Sequence, residues 1–147
     1  MSDHLAIMER TGRILEQVIS GEKTIESRWT MRRIVPYENI APGETVYFKN
    51  SGSNAINNVV ARATVGGVLF YEVNQAKIKE LLRQYGKRLC MTNADDFEEI
   101  KGKRYCSLIF LKDVERLKRP FTIDKAGHGG TGSAWITLPD IRALRRG

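Results

Sequence analysis

Tyr105 to Leu111 (Tyr-Cys-Ser-Leu-Ile-Phe-Leu) is a nearly continuous apolar run with aromatic and β-branched character. It lacks the alternation of a half-exposed strand, so it predicts a central strand with apolar layers on both faces. Val114 and Leu117 continue it toward Pro120. Other strand signals surround it. Leu5 to Met8 is a short apolar run, Thr24 to Thr30 alternates, and Thr45 to Asn50 follows a Pro-Gly turn. Asn57 to Val65 leads through a bend or bulge at Gly66-Gly67 into Val68–Tyr71, and Ala134 to Leu138 is the last strand.

Three helices interrupt these strands. The first opens at Glu9 or Thr11, shows one face through Ile14, Leu15, Val18 and Ile19, and closes at Gly21. The second is capped by Asn74 and runs through Tyr85, with Ile78, Leu81, Leu82 and Tyr85 on one face and Gly86 at its end. Its other face carries Lys77, Lys79 and Arg83, with Lys87 and Arg88 nearby, as a solvated surface or one wall of an RNA-binding face. A third, short helix over 93–100 follows the cap signal Thr92-Asn-Ala-Asp95 and stops at Lys101-Gly102. Strands interrupted by helices predict an α+β fold, and 147 residues suit a single domain over 1–147 with a core that needs no disulfides.

Lys and Arg number 24 against 17 acidic residues, a net charge of +7 that favours an anionic partner such as nucleic acid. Five basic residues lie between Lys77 and Arg88, whereas Asp95 to Glu99 holds four acidic ones. Cys90 and Cys106 have no Cys-x-x-Cys spacing, and His4 and His128 are the only histidines, so no metal site, cofactor or disulfide framework is expected. No signal peptide or membrane-spanning run is evident, and a cytoplasmic protein is the expectation.

The polar segment Gly21-Glu-Lys-Thr-Ile-Glu-Ser-Arg-Trp29 holds the candidate site. Strand alternation places Glu26 and Arg28 on one face, and Ile25, Ser27 and Trp29 on the other, with Lys23 at the entry. Gly21, Lys23, Glu26 and Arg28 match Gly-x-Lys-x-x-Glu-x-Arg after an amino-terminal helix, which resembles the signature of the ASCH domain, a branch of the PUA-like superfamily. The resemblance implies a PUA-like β pseudo-barrel with flanking helices and a cleft around this segment. It also implies RNA or a modified nucleoside as partner. Small bacterial proteins similar to the family hydrolyse the acetyl amide of 4-acetylcytidine with a lysine, a threonine three residues later and a distant glutamate. Lys23 matches the lysine, but Glu26 occupies the threonine position. Glu72 is a candidate for the distant glutamate. Other family members are ribonucleases, in which a Lys and a Glu serve proton transfer and phosphate stabilisation.

The loop Gly127-His-Gly-Gly-Thr-Gly132 spells Gly-x-Gly-x-x-Gly but leads into a strand, which excludes a dinucleotide fingerprint. A backbone nest for an RNA phosphate remains, with Gly129, Gly130 and Ser133 as its candidate residues and His128 beside them. Trp29 and Trp135 are candidate stacking surfaces, against the commoner role of a tryptophan in the core. Arg32, Arg33 and Lys49 add positive charge for phosphate contacts that position rather than specify. The expected function is therefore a small RNA-binding protein whose cleft is lined by Lys23, Glu26 and Arg28. The alternative is an enzyme of the same cleft, a ribonuclease or a nucleoside amidohydrolase with Lys23, Glu26 and Arg28 as catalytic residues. A third reading is a protein-interaction module that uses the basic helix. The sequence sets no oligomeric state.

Overall fold

A computed structural model describes residues 1–9, 11–51, 58–123 and 134–145. Its strands are β1 (Asp3–Met8), β2 (Ile25–Thr30), β3 (Thr45–Asn50), β4 (Asn58–Glu72), β5 (Tyr105–Thr122) and β6 (Trp135–Leu138). The helices are α1 (Arg13–Ser20), α2 (Gln75–Leu89) and α3 (Ala94–Ile100), followed at the end by a 3-10 turn over Ile141–Ala143. The strands form one sheet in the order β2-β5-β4-β3-β1-β6, in which only β1 and β3 run parallel. The Tyr105 to Leu111 run lies in β5, between β2 and β4, as its apolar composition requires.

The β4–β5 ladder carries register shifts between Val59 and Ala61, between Arg62 and Thr64, and between Val65 and Gly67. The first leaves three extra residues on β5, the second one extra on β5 and the third one extra on β4, and such unmatched residues bend the strands. The sheet curls into a half-barrel, and β2 at one edge approaches β1 and the start of β6 near the other: Arg28 of β2 donates to the carbonyls of Ile7 and Ala134. One apolar cluster joins Leu15 and Val18 of α1 to Val46, Phe48, Ala61 and Ile109. A second joins Leu81 and Leu89 of α2 to Ile25, Cys106 and Leu108, and a third gathers Leu5, Val59 and Ile136 with Ile141 and Leu144. The third covers the face away from α1, so the sheet is buried on both sides.

Several boundaries depart from the sequence expectations. Helix α1 starts at Arg13, because Gly12 holds the left-handed φ of 81° just before it. Gly86 does not end α2. A Cβ there would come within 2.8 Å of the Met91 carbonyl oxygen, so this glycine is required by a close approach, and the helix runs on to Leu89. The stop is Cys90, whose φ of 57° is left-handed and whose N–H donates to the Gly86 and Lys87 carbonyls. The box at α3 uses Asn93 and Asp96, with the Asn93 N–H donating to Asp96 at 3.0 Å, one position later than the Thr92–Asp95 pairing. β5 reaches Thr122, because its distal half pairs with the start of β4.

A left-handed conformation costs an ordinary residue about 1–2 kcal/mol, and a glycine there gives some of this back through its larger unfolded-state freedom. Cys90→Gly is accordingly expected to raise stability by a few tenths to about 1 kcal/mol. Urea titration checks this: the midpoint should rise, and a lower midpoint would contradict the strain assigned to Cys90.

Candidate functional site

The segment from Gly21 to Thr24 is tied to both helices before the strand begins. Gly21 (φ 85°) turns the chain and donates to the Val18 carbonyl. The Lys23 N–H donates to Gln17 of α1 at 2.9 Å, and the Thr24 N–H to Arg88 of α2 at 3.0 Å. These two bonds carry the Lys23 side chain to the carboxyl end of α2. There its Nζ, on a residue only 5% exposed, donates to the Leu89 carbonyl at 2.5 Å. Such a carbonyl has no helical partner, and the negative end of the helix dipole favours a cation.

Glu26 follows on β2 and is likewise 5% exposed. Its Oε1 accepts from the Ser27 N–H at 2.9 Å. Its buried Oε2 has no hydrogen-bond partner and lies 3.8 Å from Arg28 Nη2. Arg28 donates through Nη1 to Ala134 O at 3.2 Å and through Nη2 to Ile7 O at 3.5 Å. Its guanidinium sits 5.1 Å from the centre of the Trp135 ring, and its buried Nε has no partner. Trp29, on the other face, donates from Nε1 to Ser27 Oγ at 2.8 Å and packs beside the cluster that holds Ile25. Because β2 is an edge strand, residues of both faces reach one cleft.

That cleft has a volume of about 790 Å³ and is lined by Lys23, Glu26, Ser27, Arg28 and Trp29 together with β1, α1 and the connection from α2 to α3. Its charge is balanced. Arg13, Lys23, Arg28, Lys87 and Lys103 face Glu9, Glu22, Glu26, Asp96 and Glu99. Met8 and Met91 contribute polarisable apolar wall. Cys90 also lines it, and burial, more than the partly compensating Lys23 charge, pushes its thiol above the usual range. Burial pushes the Cys106 thiol much further up. Both are free cysteines.

The other expected residues are distributed differently. Lys49 is 1% exposed and donates to the Asn50 carbonyl at 2.8 Å, so it is an interior cation rather than a surface contact for phosphate. Trp135 is 4% exposed, with His4 and Arg28 against its ring, which leaves no open face for a base. Arg32 is exposed outside the cleft. Arg33 is exposed too, 2.8 Å from Glu72 and 5.5 Å from the Tyr105 ring. Glu72 therefore lies away from Lys23 and does not supply a second carboxylate to the cleft. Gly129, Gly130, Ser133 and His128 lie outside the described residues. Thr24 Oγ1 accepts from Arg88 Nε at 3.0 Å and is not part of the lining.

Ser27, Met91, Thr92, Asp96 and Glu99 line the cleft without having been singled out in the sequence. The available signal was Gly86, whose close approach to Met91 folds the α2–α3 connection back over β2. Among the described residues, no cluster of His, Cys, Asp and Glu side chains is arranged to hold a metal, and no helix is long and apolar enough to cross a membrane.

No protein-family model and no curated protein matches the sequence. Solved structures do match. An ASCH protein from Zymomonas mobilis superposes with a TM-score of 0.66 at 15% identity, covering 98% of this chain and 96% of that one. A point variant of the same protein gives 0.65 at 17% identity, covering 98% and 96%. At such identities the likeness speaks to architecture, and it extends over nearly the whole of both chains. The protein has the fold of these ASCH structures, an α+β half-barrel with six strands and three helices among the described residues.

Proposed function

We propose that this protein recognises RNA by seating one nucleotide in the cleft at β2, with Glu26 reading the base. The observation that carries the reading is the Glu26 carboxylate, nearly fully buried, lining a cleft and holding one oxygen without a hydrogen-bond partner. Buried polar groups are normally paired, and an unpaired carboxylate oxygen is costly unless a ligand supplies the donor. A base amino group is such a donor, as cytosine N4 is to a glutamate. Trp29 and Met91 offer apolar wall to the ring, and Arg28 supplies a fixed positive charge beside Glu26.

Glu26→Gln is expected to weaken cytidine and single-stranded RNA binding by at least about tenfold, since a hydrogen bond to a charged group contributes roughly 1.5–3 kcal/mol. Calorimetric titration of both ligands against parent and variant checks this. Equal affinities would remove Glu26 from the site.

A second reading, an enzyme of the same cleft, is favoured by one feature: Lys23 and Glu26 are both 5% exposed yet line the same cavity. A held ammonium stabilises developing negative charge, and a neighbouring carboxylate moves a proton. A ribonuclease or an amidohydrolase of modified nucleosides such as 4-acetylcytidine fits that pair. The threonine position is held by Glu26, and the adjacent Ser27 hydroxyl is engaged by the Trp29 N–H. Incubation with RNA and with 4-acetylcytidine, comparing Lys23→Ala and Glu26→Gln with the parent, separates the readings. Product formed at the parent's rate by both variants would sink the enzyme site.

A further inference from the structure

A charge-balanced cleft does not by itself attract a polyanion, so a protein of net charge +7 that binds RNA must present its phosphate contacts elsewhere. Helix α2 offers them. Lys79, Arg83 and Lys87 are exposed and follow one another at intervals of four residues. Residues four apart share a helix face, and the rise of about 1.5 Å per residue sets one cation about every 6 Å along it. The stripe has a direction as well. Lys87, at its carboxyl end, lines the cleft, while Lys79 lies two turns back over the Phe97 ring at 5.1 Å.

Among the described residues, none of the three is held in an ion pair. Glu80 is the only acidic residue of α2, and it lies 3.6 Å from Lys77. The neighbouring Arg88 is turned away, bonded to Thr24 and set over the Phe110 ring. Basic residues on the far half of β5 are arranged otherwise: Arg116 is paired with Glu16 of α1, and Asp113 and Glu115 interrupt the row.

We infer that the Lys79–Arg83–Lys87 stripe is a track for the phosphate backbone of single-stranded RNA, leading along α2 to the cleft in which one unpaired base is seated. This rests on the reading that the cleft takes a nucleotide. An unpaired strand suits the geometry because only a splayed base enters a pocket while its backbone continues along a surface. The cations of the track carry affinity and salt dependence, and the cleft carries base recognition.

The test is a double variant, Lys79→Gln with Arg83→Gln, which keeps good helix formers at both positions. A control, Lys118→Gln with Arg119→Gln, removes the same charge from the far half of β5. Binding of a short fluorescein-labelled single-stranded RNA is followed by anisotropy over a salt series, and cytidine binding is measured alongside. The α2 variant is expected to lose about tenfold in RNA affinity at low salt. Its slope of log affinity against log salt should shrink by about 1.4, from roughly 0.7 per phosphate contact on a single strand. Its cytidine affinity should be unchanged, and the control should stay within about threefold of the parent for RNA. Equal losses in both variants, or none in the α2 variant, would overturn the track. Loss of RNA binding in Glu26→Gln together with a silent α2 variant removes the track alone. A Glu26→Gln variant with parental affinity for both ligands removes the cleft reading, and the track with it.

Discussion

Arg28→Met is expected to lower stability by about 3–5 kcal/mol, the cost of breaking a buried ion pair from one side. Two losses coincide at this residue. The guanidinium is the link by which β2, at one edge of the curled sheet, holds the carbonyls of Ile7 and Ala134 near the other edge, and it lies against the Trp135 ring. It is also the cation nearest to the Glu26 carboxylate, whose side chain is 6% exposed. Methionine has nearly the volume but neither the fork nor the charge, and it leaves that carboxylate uncompensated. Lysine should rescue little, because a single ammonium does not reproduce two divergent N–H contacts. The coupling gives a second readout: Arg28→Met combined with Glu26→Gln should cost less than the sum of the single changes, since no buried charge is then left alone. Additive costs would contradict the pairing. Arg116→Ala, which breaks an exposed pair with Glu16, serves as the comparison and should cost no more than about 1 kcal/mol.

Glu44→Ala is expected to cost about 2–4 kcal/mol, with a distinct pH signature. Glu44 follows the turn in which Gly43, at φ 91°, occupies the position that Pro42-Gly43 predicts. It accepts hydrogen bonds from the backbone N–H groups of Ser2 at 2.8 Å and Ala41 at 2.9 Å, and it meets His4 Nε2 at 2.8 Å. The Trp135 N–H can only donate, so His4 Nδ1 accepts it at 3.2 Å, and Nε2 carries the hydrogen given to Glu44. Burial alone would raise the Glu44 carboxyl, but the bonds from His4, Ser2 and Ala41 hold it below the ordinary glutamate value. A depressed carboxyl stabilises the fold fully above its unfolded value, near pH 4.3, and that contribution fades as pH falls through the lower folded value. Urea unfolding at a series of pH values checks this. The gap between parent and Glu44→Ala should narrow in acid. A gap that stays constant would mean that Glu44 acts through packing alone.

What could be read from the sequence follows the range of the interactions. Gly21 and the Asn74 cap mark element ends through neighbours a few residues away, and both act as expected. Glu26 and Arg28 were legible as one face of a strand because alternation is also local. Gly86 was misread because a glycine that ends a helix and a glycine that lets another segment approach look alike until Met91 is folded over it. Glu72 looked like a second carboxylate for the cleft, but the curl of the sheet leaves it beside Arg33. Lys49 and Trp135 read as surface candidates by residue type. Their burial depends on the pairing of β1 with β3 and with β6 and, for Trp135, on His4, which no short window contains.

The central claim is that a base enters the cleft between β2 and the α2–α3 connection and meets Glu26. The most direct test is a cytidine titration of isotopically labelled protein, followed through backbone amide resonances. The account predicts saturable shifts confined to Ser27, Trp29, Met91 and Thr92 and their neighbours, lost in Glu26→Gln. Saturable shifts elsewhere on the sheet, or shifts at these residues that persist in Glu26→Gln, would contradict it.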